Sequence, residues 1–409
     1  MLAFSTFITE QKNTHMTHIE DKVLYGGVNG TRQAIMALRS LRDMLAGVHQ
    51  GSVSVKWDGA PAIFAGIDPR DGKFFVAKKG IFNKNPKVYK TDAEIDTDTS
   101  GDLAAKLKDA LKYLPELGIT GVVQGDFLFS KNDITRKKIG GKVYITFHPN
   151  TIVYAVDADS EEAKEIKAAK IGIVWHTTYI GDSFENMRAS YGVNVSSFRK
   201  SKNVWSQDAM LKDLTGVTLS KEQTEEVNTH LSNAGILFNK ISGSVLRRLE
   251  SNPELARLIE QFNNEHVRAG TVIVNSRAHT ANLIKWIRSR FRKEIANRKT
   301  LAGQETQRKK LNDILDFFSI ENNKSIVAMF DLQREIVFAK LILINKLNSL
   351  KNVDTFVKTR KGYKVTGAEG YVAIDILGGD AVKLVNRMEF SYNNFSPDVL
   401  KGWDKPTRN

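Results

Sequence analysis

The sequence predicts an α+β fold, mostly antiparallel, in which strand-rich segments at both ends of the chain enclose a long helical stretch. Three observations carry this prediction. Between Val53 and Tyr179, apolar residues recur at every second position in short runs separated by turn-forming residues, the mark of strands buried on one face. From about Ser183 to Lys361 the spacing changes to the three-and-four pattern of amphipathic helices. Short alternating runs then return between Tyr363 and Arg387. These shifts divide the chain into residues 1–182, strand-rich with an N-terminal helical segment; 183–361, an inserted helical domain; and 362–409, closing strands and a tail.

The chain has 409 residues, room for two or three domains, and a formal net charge of +14. That excess favours a polyanionic partner, nucleic acid first, although a basic solvated surface would look the same. With no cysteine there is neither a disulfide nor a thiolate metal site. No apolar run approaches membrane-spanning length, and Met1–Ser5 lacks the basic and apolar regions of a secretory signal. The expected compartment is the cytoplasm, with no membrane partner.

Taken in order, Thr14–Asp21 holds two histidines and two acids, but His-x-x-His recurs so often by chance that a metal site there is not expected. Ile35, Leu38, Leu41 and Leu45 predict a helix over Thr31–Leu45, capped by Thr31 and ended by Gly47. Val53 and Val55 predict a strand that turns Ser54 and Lys56 to its other face. Asp58-Gly59 then turns the chain into a return strand at Ile63–Ala65. Lys56, beside a carboxylate at the lip of a sheet, is either a nucleophile or a surface lysine next to a hairpin. As a nucleophile its ammonium must lose a proton, which desolvation or neighbouring cations promote.

A further strand over Lys73–Gly80 ends in Lys78 and Lys79. An amphipathic helix follows over Asp102–Leu114, then a strand, Gly121–Phe129, that sets Asp126 in an apolar run, where a carboxylate needs a partner. Tyr144–Phe147, Asn150–Val156 and Ile171–Tyr179 are the next strands. His176 in the last could touch a ligand or be a satisfied core histidine.

In the helical stretch, apolar sets occur at Leu246 and Leu249, at Leu255–Phe262, at Ile284–Ile295 and at Leu311–Phe318, followed by an apolar helix over Phe330–Leu347. Lys285, Arg288, Arg292 and Lys293 lie among Trp286 and Phe291. Two readings stand for these cations: contacts to a phosphate backbone, or a solvated helix face. Among the closing strands, period-two spacing puts Lys383 and Arg387 on one face.

Five elements then stand in a fixed order: Lys56-Trp57-Asp58-Gly59, Gly125-Asp126-Phe127, a strand ending at Asp157, Glu369-Gly370-Tyr371-Val372, and Val382-Lys383-Leu384. This order resembles the covalent nucleotidyltransferase superfamily of ATP-dependent DNA ligases, RNA ligases and messenger-RNA capping enzymes, over about Gly51–Asp182 and Tyr363–Arg387. The whole chain also resembles a protein family of large tailed phages that shares the Lys-Trp-Asp-Gly-Ala-Pro-Ala string, which would place it in a host cytoplasm. The superfamily resemblance implies a ligase-type, ATP-grasp-like nucleotidyltransferase domain interrupted by the helical insertion. Lys56 would attack the α-phosphate of ATP to form a lysyl–AMP phosphoramidate, with Asp58 in the same catalytic motif. Lys383 would grip the α-phosphate. Glu369 and Asp126 would serve a magnesium or manganese ion, Asp126 also touching the nucleotide. Lys78 takes the place of a nucleotide-contacting arginine, Tyr154 that of the adenine-stacking aromatic, and Arg387 that of a second lysine on the final strand.

The chain departs from the family in having Asp126 where glutamate is usual, Lys78 where arginine is usual, and Val385 where a second lysine is common. No oligonucleotide-binding barrel fits after Arg387, a pattern closer to RNA ligases with helical domains, so RNA is favoured slightly over DNA. The function expected is therefore a polynucleotide ligase acting on 5′-phosphate and 3′-hydroxyl ends. The alternatives are a non-catalytic nucleic-acid-binding protein with a degenerate ligase fold, and a nucleotidyltransferase acting on a protein or small molecule.

Overall fold

The computed structural model describes residues 17–48, 52–211, 218–350, 353–374 and 381–404. Thr14, His15 and Met16 of the N-terminal motif, Asp375 and Asp380 beside the closing strands, and the end of the tail lie outside them.

Fifteen described strands form three sheets. The first contains β1 (Ser52–Lys56), β13 (Gly370–Ile374) and β14 (Ala381–Leu384), with β13 in the middle and both pairings antiparallel. The second runs β10 (Val204–Asp208), β8 (Ile171–Ile180), β4 (Val122–Ser130), β2 (Ala62–Ile67), β3 (Phe74–Ala77), with β9 (Arg188–Tyr191) also on β8. The third runs β12 (Gly362–Val365), β11 (Asp354–Thr359), β7 (Ile152–Asp157), β6 (Lys142–Phe147), β5 (Thr135–Ile139), with β15 (Val399–Leu400) on β11. Among the described strands only β8 and β10 pair in parallel, so the mostly antiparallel α+β expectation holds. Strands from both sides of the helical stretch share the first and third sheets.

The helices before that stretch are α1 (Lys22–Tyr25), α2 (Gly27–Leu45), α3 (Asp92–Asp98), α4 (Gly101–Tyr113) and α5 (Glu161–Ala168). Then come α6 (Lys221–Lys240), α7 (Gly243–Glu250), α8 (Pro253–Arg268), α9 (Ser276–Ala296), α10 (Leu301–Phe317) and α11 (Ile320–Asn348), and finally α12 (Arg387–Phe395). Helix α2 buries Ile35, Leu38, Leu41 and Leu45 as its spacing requires. It begins four residues earlier than expected, because Thr31 lies inside it and donates its hydroxyl to the Gly27 carbonyl (2.7 Å) instead of capping. At Gly47 the chain leaves the helix with φ +78°, a conformation that suits glycine.

The helical stretch is narrower than the sequence suggests: its helices run from Lys221 to Asn348, β9 and β10 lie before them, and β11 starts ahead of residue 362. Every residue of β9 is exposed, so it leaves no apolar alternation to read. The N-terminal helical segment also packs elsewhere than expected. Ile35, Leu38 and Leu45 of α2 share one apolar core with residues of α6 to α11, and Val53, Tyr371, Val382 and Leu384 of the first sheet close it. One face of that sheet is therefore sealed against the helices. Pleat alternation turns Ser54, Lys56 and Lys383 to the other face. Among the described residues no helix is long and apolar enough to cross a membrane.

Candidate functional site

Strand register assembles the site. Lys56 ends β1 opposite Gly370, and Glu369 immediately precedes it, so the Lys56 ammonium and the Glu369 carboxylate form an ion pair. Val372 lies opposite both Ser54 and Lys383, which puts Lys383 on the same face, one strand away. The loop after Lys56 is strapped to β4. The Ala60 amide donates to the Phe127 carbonyl (2.9 Å) and the Phe127 amide to the Pro61 carbonyl (3.0 Å). A Cβ at Gly59 would come within 2.5 Å of the Asp126 Cβ, so only glycine allows this approach. Asp126 is thus held beside Lys56. His176 reaches it from β8, with Nε2 3.9 Å from Asp126 Oδ2 and Nδ1 2.8 Å from Thr177 Oγ1.

Burial dominates the electrostatics here. It pushes the Asp126 carboxyl up to about 7, against the opposing pull of Lys56 and, more weakly, Lys79. It also raises Glu369 against Lys56 and lowers Lys383, which Lys56 depresses further. His176 falls to about 4 through burial and then Lys56, so it is neutral at pH 7. Cations and carboxylates here are short of water and dependent on one another. Lys56 itself keeps 39% of its side chain exposed. A phosphorylated ligand with a metal ion would supply the counter-charges that solvent does not.

Several expected residues have other roles. Asp58 is a positioning residue: its buried carboxylate accepts from Asn150 Nδ2 (2.6 Å) and from the amides of Thr151 (2.7 Å) and Ile152 (2.9 Å). Its own amide donates to the Tyr154 hydroxyl (2.6 Å). Tyr154 is not an adenine platform. It is 3% exposed, and its ring centroid lies 4.7 Å from that of Trp57 and 5.5 Å from that of Phe147. Lys78 is paired with Asp98 (3.1 Å), and its neighbour Lys79 acts on Asp126 more weakly than Lys56 does.

Arg387 does not continue the face of Lys383, because β14 stops at Leu384 and Arg387 opens α12. Asn386 caps that helix by accepting from the Glu389 amide, and Asn-x-x-Glu is a helix-start signal legible in the sequence. Arg387 instead pairs with Asp21 (2.9 Å) and Glu20 (3.5 Å) and donates to Asn264.

That buried ion network was not foreseen. Lys340, 1% exposed, meets Glu20 at 2.7 Å. Burial pushes Glu20 up, but Lys340 and Arg387 more than offset it and hold the carboxyl below its usual range. At Asp21 burial prevails over Arg387 and pushes the carboxyl up. Lys340, the one charged residue of the stretch Ile336–Asn345, was the available signal, since a buried ammonium requires a partner. The network adjoins the site: His18 bridges the backbone of Lys383.

Away from the first sheet, Lys285, Arg288, Arg292 and Lys293 are exposed on α9, while Leu283, Ile287 and Phe291 of the same helix are buried. The basic stretch thus has an apolar inner side and a charged outer one, and its aromatics belong to the inner side.

The model of a family of unknown function, DUF6267, matches residues 13–398. No curated protein and no solved structure matches the chain.

Proposed function

We propose, for a chain that belongs to the DUF6267 family of unknown function, that it is an ATP-dependent polynucleotide ligase, RNA being favoured slightly over DNA. The observation that carries this reading is the shared sheet face on which Lys56 is paired with Glu369 and flanked by Lys383, with Asp126 alongside. Lys56 Nζ, once deprotonated, attacks the α-phosphorus of the substrate ATP. An N–P bond forms, the P–O bond to the β-phosphate breaks, and pyrophosphate leaves. Glu369, already bonded to Nζ, is the acceptor for the lysine proton. Lys383 offsets charge developing on the α-phosphate. A 5′-phosphate oxygen then takes the AMP from Lys56, and a 3′-hydroxyl displaces AMP to seal the strand.

Among the described residues no group of three or more His, Asp or Glu side chains is arranged to hold a metal ion alone. Two partly buried carboxylates, Asp126 and Glu369, fit magnesium or manganese shared with the phosphates, since magnesium is commonly held by one or two carboxylates plus substrate oxygens. A bound ion would neutralise phosphate charge. The alternative of a non-catalytic nucleic-acid-binding protein draws on one observation, the exposed cations of α9, which need no chemistry at Lys56.

Incubation with α-labelled ATP and magnesium, followed by denaturing electrophoresis, tests the proposal. The wild type becomes labelled, and Lys56→Ala and Lys56→Arg do not, because arginine stays protonated. Labelling of Lys56→Ala at the wild-type level would sink the assignment.

A further inference from the structure

Residues Ser276–Lys310, covering α9 and the first part of α10, carry eleven Lys and Arg against two Glu, a net +9 in a chain whose total is +14. The charge of the whole protein is thus concentrated in one helical hairpin. Of its cations, Arg290 pairs with Glu294, Arg308 with Glu305 and Lys310 with Glu254. Arg277, Lys285, Arg288, Arg292, Lys293, Arg298, Lys299 and Lys309 are exposed, and none has an ion-pair partner among the described residues.

On α9, Arg277, Lys285, Arg288 and Arg292 fall within about 80° of one another at 3.6 residues per turn, on the side away from Leu283 and Ile287. This stripe is roughly 22 Å long at 1.5 Å per residue, about six base-pair rises of a duplex. Lys293 lies on the shoulder of the stripe.

The aromatics of the hairpin are committed elsewhere. Phe291 and Phe317 are buried. Trp286 donates its Nε1 proton to Glu265 (2.8 Å), packs on Phe262 and lies beneath the Arg290 guanidinium. Single-strand binders combine cations with aromatic faces on which unpaired bases stack, and this hairpin offers only the cations. Its remaining means of attraction is phosphate charge, and charge density is highest on a duplex, about one per 1.7 Å against one per 3.4 Å on either strand.

We infer that the α9–α10 hairpin is a sequence-independent clamp on the phosphate backbone of a nucleic-acid duplex, centred on Arg277, Lys285, Arg288 and Arg292. The inference rests on the polynucleotide reading above and deepens it by naming the form of nucleic acid. The clamp reads neither base edges nor stacked bases, so duplex DNA and duplex RNA of any sequence are both within its reach.

Fluorescence anisotropy with a labelled 24-base-pair DNA duplex, the matching RNA duplex and their single strands, titrated in salt, tests the inference on the full chain. Wild type is expected to bind duplex at least ~10-fold more tightly than single strand, with log K falling by about 0.9 per decade of salt for each phosphate contact. Arg277→Glu, Arg288→Glu and Arg292→Glu together should weaken duplex binding on the order of 10- to 100-fold and flatten the salt slope by about two to three. Reversal of three cations outside the hairpin, Lys164, Lys167 and Lys361, should do neither. A preference between the two duplexes supports the clamp and identifies its substrate. Tighter binding of single strands, equal loss in the control variant, or competition by polyglutamate equal to that of duplex would each overturn it. Absence of AMP labelling in the wild type with duplex binding intact would remove the ligase chemistry and leave the clamp standing. Labelling without any duplex binding would do the reverse.

Discussion

The first sheet and the α9–α10 hairpin are both built around cations, and they treat those cations in opposite ways. On the sheet, Lys383 and the Lys56 ammonium lie beside carboxylates in a setting where burial raises Asp126 and Glu369 and lowers Lys383. On the hairpin, Lys285, Arg288 and Arg292 stand in solvent over an apolar inner side. A desolvated cluster pays out its interaction energy only to a small ligand that enters it, because its charges act over short distances in a low dielectric. A solvated row acts over a Debye length, on any polyanion that approaches, and fades with salt. One protein thus holds a short-range and a long-range use of positive charge in separate layers.

Removing single members of the short-range cluster should have the largest effect. Glu369→Ala and Lys383→Ala are each expected to slow AMP labelling by at least ~100-fold, the loss that follows removal of one aimed electrostatic group. Near-normal single-turnover rates for both would mean that the two regions do not differ in the way described. Salt separates the regions without mutation. Between about 50 and 200 mM, duplex affinity should drop by on the order of 100-fold if about four phosphates are contacted, while the initial labelling rate changes far less. Parallel salt curves for the two activities would dissolve the contrast.

Asp58 probes the scaffold of the sheet. Asp58→Ala leaves three donors from Asn150, Thr151 and Ile152 without their acceptor and should lower unfolding stability by about 2 kcal/mol. Asp58→Asn, which keeps one acceptor oxygen, should recover part of the loss in a denaturant titration. Stability equal to wild type in both variants, with labelling abolished, would return Asp58 to the chemistry.

The smallest effect belongs to a buried histidine of the helical interior, His279. His279 is held at about 4 by burial, with a smaller contribution from His266. Between that value and an unfolded pKa near 6.5 the unfolded chain binds more protons than the native one, so stability falls as pH falls through this window. His279→Gln should lose roughly 1 kcal/mol less than wild type between pH 7.5 and pH 5.5. Identical losses measured by denaturant midpoints at the two pH values would contradict this.

Sequence periodicity was informative wherever a residue's neighbours in the chain decided its environment. The apolar faces of α2 and α9, the strands carrying Lys56 and Asp126, the strand that follows Glu369, and the inward turn of Phe291 were all legible this way. Pairing register was not, because β1 meets β13 across more than three hundred residues. Roles that depend on such partners were missed or misread. Asp58 looks like a catalytic acid until Thr151 and Ile152 occupy it. Tyr154 has the right neighbours in the chain for a base platform, but Trp57 and Phe147 cover its ring. Arg387 fits a period-two strand only while the Asn386 cap is ignored. Nothing near Glu20 and Asp21 in the chain announces their partners, Lys340 and Arg387, which lie more than three hundred residues on.

The long closure of the first sheet also sets an order in time. Lys56 is made first, and Glu369 and Lys383 follow more than three hundred residues later. At about 5–20 residues per second the interval is tens of seconds. Throughout it β1 has no β13 to pair with, and Arg387 is not yet present to meet Asp21. A nascent chain therefore carries Lys56 without its ion-pair partner Glu369 and its sheet neighbour Lys383. The site comes into being only after that interval, together with the ionic latch between Asp21 and Arg387.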